Sequence, residues 1–301
     1  MNNKKNYFLQ GVFFLILAQT MVGFNIVMSK LLLQHISILV LLILRLTMST
    51  FISVLFHFLI NTDKNSIKTH LLNLNKRDWI FLLAQALTAG ALFNFLMLTG
   101  LNYTDANVAG IITSALPAII AIMSFIVVGE EISIQKILGI IFTTIGLVII
   151  ACDSLDIVNI SHSFSGDIIV LLSLLPEATY YILCKIYSNK LPTFLTSFIL
   201  NGINLLVLVP IIPFIHCDSL SISTSNWLIL FTMSLSSSLF FVFWQIGSAR
   251  VDGIIASLST ASMTISTVII SWIILGEELT KLQLIGMSLV ILSIFISARR
   301  Q

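Results

Sequence analysis

The sequence predicts an all-α membrane protein of ten transmembrane helices, arranged as two five-helix repeats of inverted topology. Three observations predict this fold class. The chain of 301 residues is 57% hydrophobic and 9% charged, whereas a typical soluble domain carries about 25% charged residues. Its apolar residues form ten segments long enough to span a bilayer. The segment GEEISIQKILG at 129–139 is repeated in similar form as GEELTKLQLIG at 276–286, and we call this pair the repeated phrase. So few charges cannot cover a water-facing surface, which excludes a soluble globular protein.

Each segment approaches the ~20 apolar residues that a spanning helix needs. The predicted spans are 8–30, 37–60, 79–101, 105–128, 134–152, 166–188, 193–215, 226–247, 252–275 and 281–298. Most connections between them are short, and the longest, 61–78, is polar and basic. The net charge of +2 is too small to indicate a nucleic-acid partner, so we expect the lipid bilayer and a small-molecule substrate as partners.

An even number of spans places both termini on the same side of the membrane. If that side is the cytoplasm, twelve Lys and Arg residues lie inside, only Lys30 and Lys281 lie outside, and Arg45 lies within the second span. This asymmetry agrees with the positive-inside rule. We therefore expect a multi-pass protein of the plasma membrane, the bacterial inner membrane, with both termini cytoplasmic.

The two halves of the sequence align without gaps from Asp105 and from Asp252 through the repeated phrase. Ten of the 35 aligned positions are identical. The similarity extends upstream, so the repeats are predicted to cover 8–152 and 166–298. Because five is an odd number, the second repeat enters the membrane from the opposite side. Inverted repeats of this kind recur in secondary transporters, which alternate between two related conformations.

Several motifs resemble those of a known family. They are VVGEE at 127–131, ILGEE at 274–278, LPAIIA at 116–121, RL at 45–46 and MVGFNIVMSK at 21–30. With these motifs in two five-helix units, nearly the whole chain resembles the drug/metabolite transporter (DMT) superfamily, EamA type. Three positions depart from the usual pattern of that family: Val22 stands where the family often has Trp, Thr264 stands at the position matching Pro117, and Ser293 stands at the position matching Gly146.

Glu177 is the twelfth residue of the sixth predicted span, close to its middle. A charged side chain costs ~2.5–3.5 kcal/mol near the centre of a spanning helix, so Glu177 is a candidate functional residue. Pro176 precedes it, and Tyr180 and Tyr181 lie one turn later. Glu177 is a candidate to bind an ammonium group or to couple transport to protons. The alternative is a protonated or hydrogen-bonded carboxyl group buried between helices.

A second set of residues is predicted to be structural. Arg45 is expected to pair with a helix end, with a substrate carboxylate or Glu177 as the alternative partner. Gly110 and Ser257 belong to aligned sets of small residues spaced four apart in spans four and nine. Such spacing lets helix backbones approach closely, and the alternative is room for a substrate. Pro117 is predicted to bend span four.

Polar and aromatic side chains within the spans are predicted to line the transport path. Any one of them is equally explained by a hydrogen bond between helices, because an unsatisfied amide in hydrocarbon is costly. The candidate substrate-binding residues are Gln19, Asn25, Asn94, Thr113, Glu177, Tyr180, Trp244, Gln245 and Thr260.

The loops are predicted to be structural. The two Gly-Glu-Glu loops lie on opposite faces in this topology, so their carboxylates cannot form one metal or acid–base site. Their glutamates are predicted to be charges at the membrane interface where one helix ends and the next begins, namely Glu130, Glu131, Glu277 and Glu278. Asp105 and Asp252 are predicted to be N-caps that accept hydrogen bonds from first-turn amides. Cys152 and Cys217 both fall near the outer face, where a disulfide is the alternative to free thiols.

The sequence contains no HExxH, GxxxxGK[ST] or GxGxxG motif, which argues against ATP-driven transport. The five His residues show no ligand spacing and the charges are spread among short loops, so no cofactor, metal site or enzymatic activity is expected. The resemblance implies a permease for small polar metabolites, amino acids or related compounds, commonly exported, and the repeats predict alternating access. The alternatives are an uptake carrier for a nucleoside-like metabolite, an integral membrane enzyme, and a receptor or assembly subunit. Whether the chain forms a homo-oligomer is left open.

Overall fold

A computed structural model of the chain describes residues 2–32, 35–60, 67–101, 103, 112–130, 133–153, 164–187, 191–210, 223–276 and 279–298. All regular secondary structure in these ranges is helical, which confirms the predicted all-α class. The helices are α1 (Asn2–Leu32), α2 (Ile38–Ile60), α3 (Ile67–Leu72), α4 (Lys76–Leu87), α5 (Phe93–Leu101), α6 (Leu116–Met123), α7 (Ile134–Asp153), α8 (Phe164–Ile186), α9 (Thr193–Leu208), α10 (Thr224–Ser248), α11 (Gly253–Thr260), α12 (Ser262–Leu275) and α13 (Lys281–Ala298). Short π-helical turns follow α4 at Thr88–Leu92 and α6 at Ser124–Val128.

The apolar helices fall on the predicted spans. Within the described ranges, seven are long and apolar enough to cross a membrane, and three shorter ones lie at Leu116–Val128, Thr193–Leu208 and Lys281–Ile294. Large apolar side chains cover the outer surface, where Phe51 is 74% exposed and Ile126 is 72% exposed. These features indicate a multi-pass helical bundle whose solvent is lipid. The count of ten spans stays a prediction.

The glycines of the repeated phrase end equivalent helices in the two halves. Gly129 has a φ of 75° and follows the π-helical turn after α6, and Gly276 has a φ of 69° and follows α12. This left-handed conformation is costly for any residue with a side chain. The left-handed backbone conformation therefore favours glycine at the first position of each Gly-Glu-Glu motif.

Helix breaks also fall at equivalent places in the two halves. A turn at residues 114–115 precedes α6, and Ala261 separates α11 from α12. In the first half, Pro117 stands in the first turn of α6 and has no amide hydrogen to donate to the preceding turn. In the second half, hydroxyl groups donate to carbonyl oxygens three residues earlier and compete with the backbone ladder. They belong to Ser257, Ser259 and Thr260.

Equivalent helices of the two halves pack against each other and run antiparallel. In the α2–α9 pair, Ser53 Oγ and Ser197 Oγ are 3.0 Å apart, and the rings of Phe56 and Phe194 lie 5.5 Å apart. Residue numbers therefore rise along one helix as they fall along the other.

The α7–α13 pair shows the same antiparallel arrangement. Thr143 lies against Ser293, and Gly146 lies against Gly286. A Cβ atom at Gly146 would stand 2.7 Å from the Gly286 carbonyl oxygen, so the two backbones meet at van der Waals distance.

Candidate functional site

Glu177 lies well inside α8, which runs from Phe164 to Ile186. At 1.5 Å per residue, its Cα is about 20 Å from the first residue of the helix and about 14 Å from the last. Its side chain is half-buried, and the Tyr181 hydroxyl donates a long hydrogen bond of 3.4 Å to Glu177 Oε1. Among the described residues, no ion pair joins Glu177 to Arg45 or to another basic side chain.

Four aromatic side chains form a cluster beside Glu177. Tyr180 and Tyr181 come from α8, and Phe240 and Trp244, four residues apart, come from one face of α10. Ring centroids are separated by 4.3 Å for Tyr181 and Trp244, 5.3 Å for the two tyrosines and 6.3 Å for Phe240 and Trp244. The two longer separations lie within the range of about 4.5–7 Å that favourable aromatic contacts have, and the Tyr181–Trp244 separation is slightly shorter. We call these four residues the aromatic cluster.

Three residues in and around the aromatic cluster carry buried polar atoms without a hydrogen-bond partner among the described residues. Gln19 of α1 is fully buried and lies near the Tyr181 hydroxyl, yet neither its nitrogen nor its oxygen reaches hydrogen-bond geometry. The Tyr180 hydroxyl and Trp244 Nε1 also lack a partner in hydrogen-bond geometry, although both lie near the Cys184 thiol. Each such group costs about 1–3 kcal/mol. We call Glu177, Gln19 and the aromatic cluster together the Glu177 site.

Gln245 lines a narrow neighbouring crevice. Its walls include Gln85 of α4, Thr196 of α9, Cys184 of α8, and Tyr187 just beyond α8. Burial and the nearby Asp78 carboxylate raise the pKa of the Tyr187 phenol above its ordinary value. Sequence reasoning did not select Gln85 or Thr196, although each is a polar residue within an apolar run.

Three of the predicted candidates lie outside the Glu177 site. Asn25 Nδ2 donates to Ser236 Oγ of α10 at 3.1 Å and also to a carbonyl in its own helix. Thr260 donates to the Ser257 carbonyl at 2.6 Å, next to the break in span nine. Thr113 lies half-buried just before the equivalent break. Asn94 lies in α5, and its side chain is outside the described part, as is the whole of Gly110.

The remaining residues that were predicted to be structural sit in helix contacts. Arg45 is half-buried in α2, and its Nε has no partner among the described residues. Ser257 is fully buried in α11, and Pro117 is buried in α6. Cys184 is buried as a free thiol, whereas the side chains of Cys152 and Cys217 lie outside the described residues. In that described part, no three His, Cys, Asp or Glu residues form a metal-binding group.

A set of polar contacts joins the two repeats at one end of the bundle. Glu130 Oε1 accepts from the Gly253 amide at 2.7 Å, and Oε2 accepts from the Ile254 amide at 3.2 Å. Lys136 Nζ lies 3.1 Å from Asp252 Oδ2. We call these five residues the clasp.

The clasp corrects the prediction for Asp252. Asp252 does stand at the N-cap position of α11, but its side chain accepts no cap hydrogen bond. The amides are bound instead by Glu130 of the other repeat, and the Asp252 carboxylate pairs with Lys136. Sequence reasoning assigned Glu130 only to the membrane interface and so missed its contact across the repeats. Asp105 lies outside the described residues.

Comparison with known proteins places this geometry in a family. The model of the EamA-like transporter family matches residues 9–152 and 164–299, most of the chain. The chain belongs to the EamA-like transporter family. The predicted resemblance to the drug/metabolite transporter superfamily is thereby confirmed, and the protein is a multi-pass membrane protein of a transporter family.

Relatives of this EamA-like protein are named as transporters. The uncharacterized transporter YetK of Bacillus subtilis (strain 168) is 26% identical over 287 residues, covering 93% of this chain and 84% of its own. An uncharacterized transporter of Archaeoglobus fulgidus is 27% identical over 205 residues, covering 66% and 70%. A solved crystal structure covers 98% of both chains with a TM-score of 0.76 at 16% identity, a likeness that shows the fold alone.

Proposed function

We propose that this EamA-like protein is a secondary transporter, a permease that moves small polar metabolites across the bacterial inner membrane. Amino acids or related compounds are the proposed substrates, and export by alternating access is the proposed mechanism. The observation that carries the proposal is the Glu177 site. It gathers a carboxylate, aromatic faces and unpartnered polar groups from α1 of one repeat and from α8 and α10 of the other. A site assembled from both halves can change its access when the halves move.

The proposed repeats cover 8–152 and 166–298, with inverted topology and both termini in the cytoplasm. The antiparallel packing of α2 against α9 and of α7 against α13 supports this arrangement, because these pairs are equivalent helices of the two repeats. Repeats related by an axis in the membrane plane pack equivalent helices in opposite directions.

Alternating access requires contacts between the halves that form at one end while the other end opens. The clasp has the character expected of such contacts, since it joins Glu130 and Lys136 of the first repeat to residues 252–254 of the second. Its partners are charged groups and helix-end amides at a bundle end, where water can replace them when they separate.

Reconstitution into liposomes tests the proposed function. The purified protein should give saturable counterflow of at least one labelled amino acid, and Glu177→Gln should reduce it. The panel should also include amines related to the amino acids, and nucleosides, since counterflow of a nucleoside alone would favour the alternative uptake carrier. Absence of saturable flux for the whole panel, from protein that remains folded in the liposomes, contradicts the proposed function.

A further inference from the structure

We propose that the Glu177 site binds the ammonium group of a positively charged amine, whose apolar or aromatic body packs against the aromatic cluster. This inference rests on the proposed transport of small polar metabolites, and within that class it favours organic monocations over the amino acids named above. It has three supports in the described residues: the environment of the carboxylate, the ring faces, and the chemistry of the unpartnered groups.

Glu177 brings a carboxylate into apolar surroundings without a basic partner. Its described hydrogen bond, from Tyr181, is 3.4 Å long and therefore weak. The basic residue nearest to it on α8, Lys185, donates to the backbone carbonyl groups of Ser248 and Val251. A carboxylate withdrawn from water is stabilised by a cation that enters the same environment. An ammonium group of a ligand satisfies this need.

The ring faces beside Glu177 favour the same ligand. A cation is attracted to the face of an aromatic ring within about 6 Å of its centroid, most strongly by tryptophan. Tyr181, which binds Glu177, lies 4.3 Å from Trp244, and Phe240 lies 6.3 Å from Trp244 on the same helix. The carboxylate and the tryptophan are thus linked through one tyrosine. The rings of Tyr181 and Trp244 are buried in this conformation, so the organic body of an amine bound to Glu177 reaches their faces when the packing around the site opens.

The remaining polar groups select against a free carboxylate on the ligand. Gln19 and Trp244 offer neutral groups only, each with a buried polar atom that lacks a described partner. Arg45 is on α2, which packs mainly against α9 and α10 rather than α8. A zwitterion would therefore place its carboxylate near Glu177 and the electron-rich ring faces without a compensating cation. The site should favour an amine over the amino acid with the same side chain.

Three probes that share one aromatic body isolate the effect of charge. They are 2-phenylethylamine, a cation; phenylalanine, a zwitterion; and 3-phenylpropanoate, an anion. Binding to the purified full chain in detergent is measured at neutral pH by calorimetry and by the rise in apparent melting temperature that a ligand of the folded state produces. We expect the amine to bind at least about tenfold more tightly than phenylalanine, and the anion not to bind.

Three variants assign the binding to the proposed residues. Glu177→Gln should weaken binding of the amine at least about tenfold. Trp244→Phe keeps a ring but weakens the cation attraction, so it should lower affinity about 2–30-fold. Asp167→Asn removes a carboxylate from the first turn of the same helix and should leave amine affinity unchanged.

The inference is overturned if phenylalanine binds as tightly as the amine, if the amine fails to bind at millimolar concentration, or if Glu177→Gln retains amine affinity within twofold. Because binding is measured without flux, failure of the proposed function is recognised separately. Amine binding that depends on Glu177, without counterflow in liposomes, supports the site and contradicts transport. Counterflow of phenylalanine without amine binding supports transport and overturns the inference.

Discussion

Glu130 joins the two repeats at the clasp, and its substitution should loosen that end of the bundle. Its carboxylate binds the first-turn amides of α11 at 2.7 and 3.2 Å. The N-cap residue of that helix provides no cap hydrogen bond of its own. The Glu130→Gln variant keeps one acceptor oxygen but loses the negative charge that a helix N-terminus stabilises.

The size of the effect follows from these contacts. A hydrogen bond to a charged group contributes about 1.5–3 kcal/mol, and one between neutral groups about 0.5–1.5 kcal/mol. The charge at the helix N-terminus adds about 0.3–1 kcal/mol. Glu130 is only half-buried, so water offsets part of these losses. The net cost should be about 1–2 kcal/mol, which shifts the equilibrium toward the open form of this end about 5–30-fold.

Thiol labelling measures this shift. Val251 lies next to the clasp and is 3% exposed, so in a background without native cysteines Val251→Cys should react with an impermeant maleimide only when this end opens. Its labelling rate then follows the open fraction, and Glu130→Gln should raise it about 5–30-fold. Ala249→Cys, two residues away and already exposed, is the matched control and should label at an unchanged rate.

Two results would refute this account of the clasp. One is a labelling rate at position 251 that stays within twofold of the parent. The other is an equal rise at position 249, which would indicate general loosening rather than opening between the repeats. Lys136→Gln should have the smaller effect, at most about fivefold, because a partly exposed ion pair contributes about 0.2–1 kcal/mol.

The remaining predictions concern packing and coupling. Gly146→Ala should lower stability by about 1–3 kcal/mol, because the new Cβ would meet the Gly286 carbonyl at 2.7 Å. Thermal unfolding beside Gly202→Ala, whose Cβ would meet no atom nearer than 4.0 Å, checks this, and equal melting temperatures would contradict it. Gly129→Ala should lower the free energy of unfolding by about 1–2 kcal/mol, because φ at this position is 75°. An unchanged melting temperature in the same thermal unfolding experiment would contradict this prediction. Glu177→Gln should abolish any flux driven by an imposed pH gradient while Asp167→Asn retains it, and flux that persists in Glu177→Gln would exclude proton coupling through this carboxyl group.

The helical class and the helix ends at the repeated phrase could be predicted from sequence, because both depend on interactions between residues that are close together in the chain. In lipid, a spanning segment must satisfy its own backbone hydrogen bonds, so apolar segments of sufficient length become helices. The glycine of each Gly-Glu-Glu motif follows the same logic, since positive φ at Gly129 and Gly276 is a local requirement.

The contacts between repeats could not be predicted in the same way. Glu130 and Gly253 are 123 positions apart, and neither residue's neighbours indicate that the two meet. Local pattern suggested that Asp252 would cap its own helix, and the competing carboxylate came from the other repeat. The Glu177 site lies between these cases. The spacing of four residues from Glu177 to Tyr181 and from Phe240 to Trp244 was visible, but the meeting of α8 and α10 required the tertiary structure.

The two repeats carry different residues at one aligned position of the clasp. In the alignment, Gln283 stands at the position equivalent to Lys136, so the second repeat lacks the base that pairs with Asp252 in the clasp. The Gln283 side chain instead accepts a hydrogen bond from the Thr280 amide within its own repeat. An inverted pair of identical repeats would have two conformations of equal energy. Under the proposed alternating access, the Lys136–Asp252 ion pair should favour closure at the clasp when no substrate is bound, because Gln283 cannot form an equivalent ion pair. The Lys136→Gln substitution places glutamine at both aligned positions, 136 and 283. The labelling rate of Val251→Cys in this variant therefore measures how far the Lys136 side chain shifts the equilibrium toward the closed clasp.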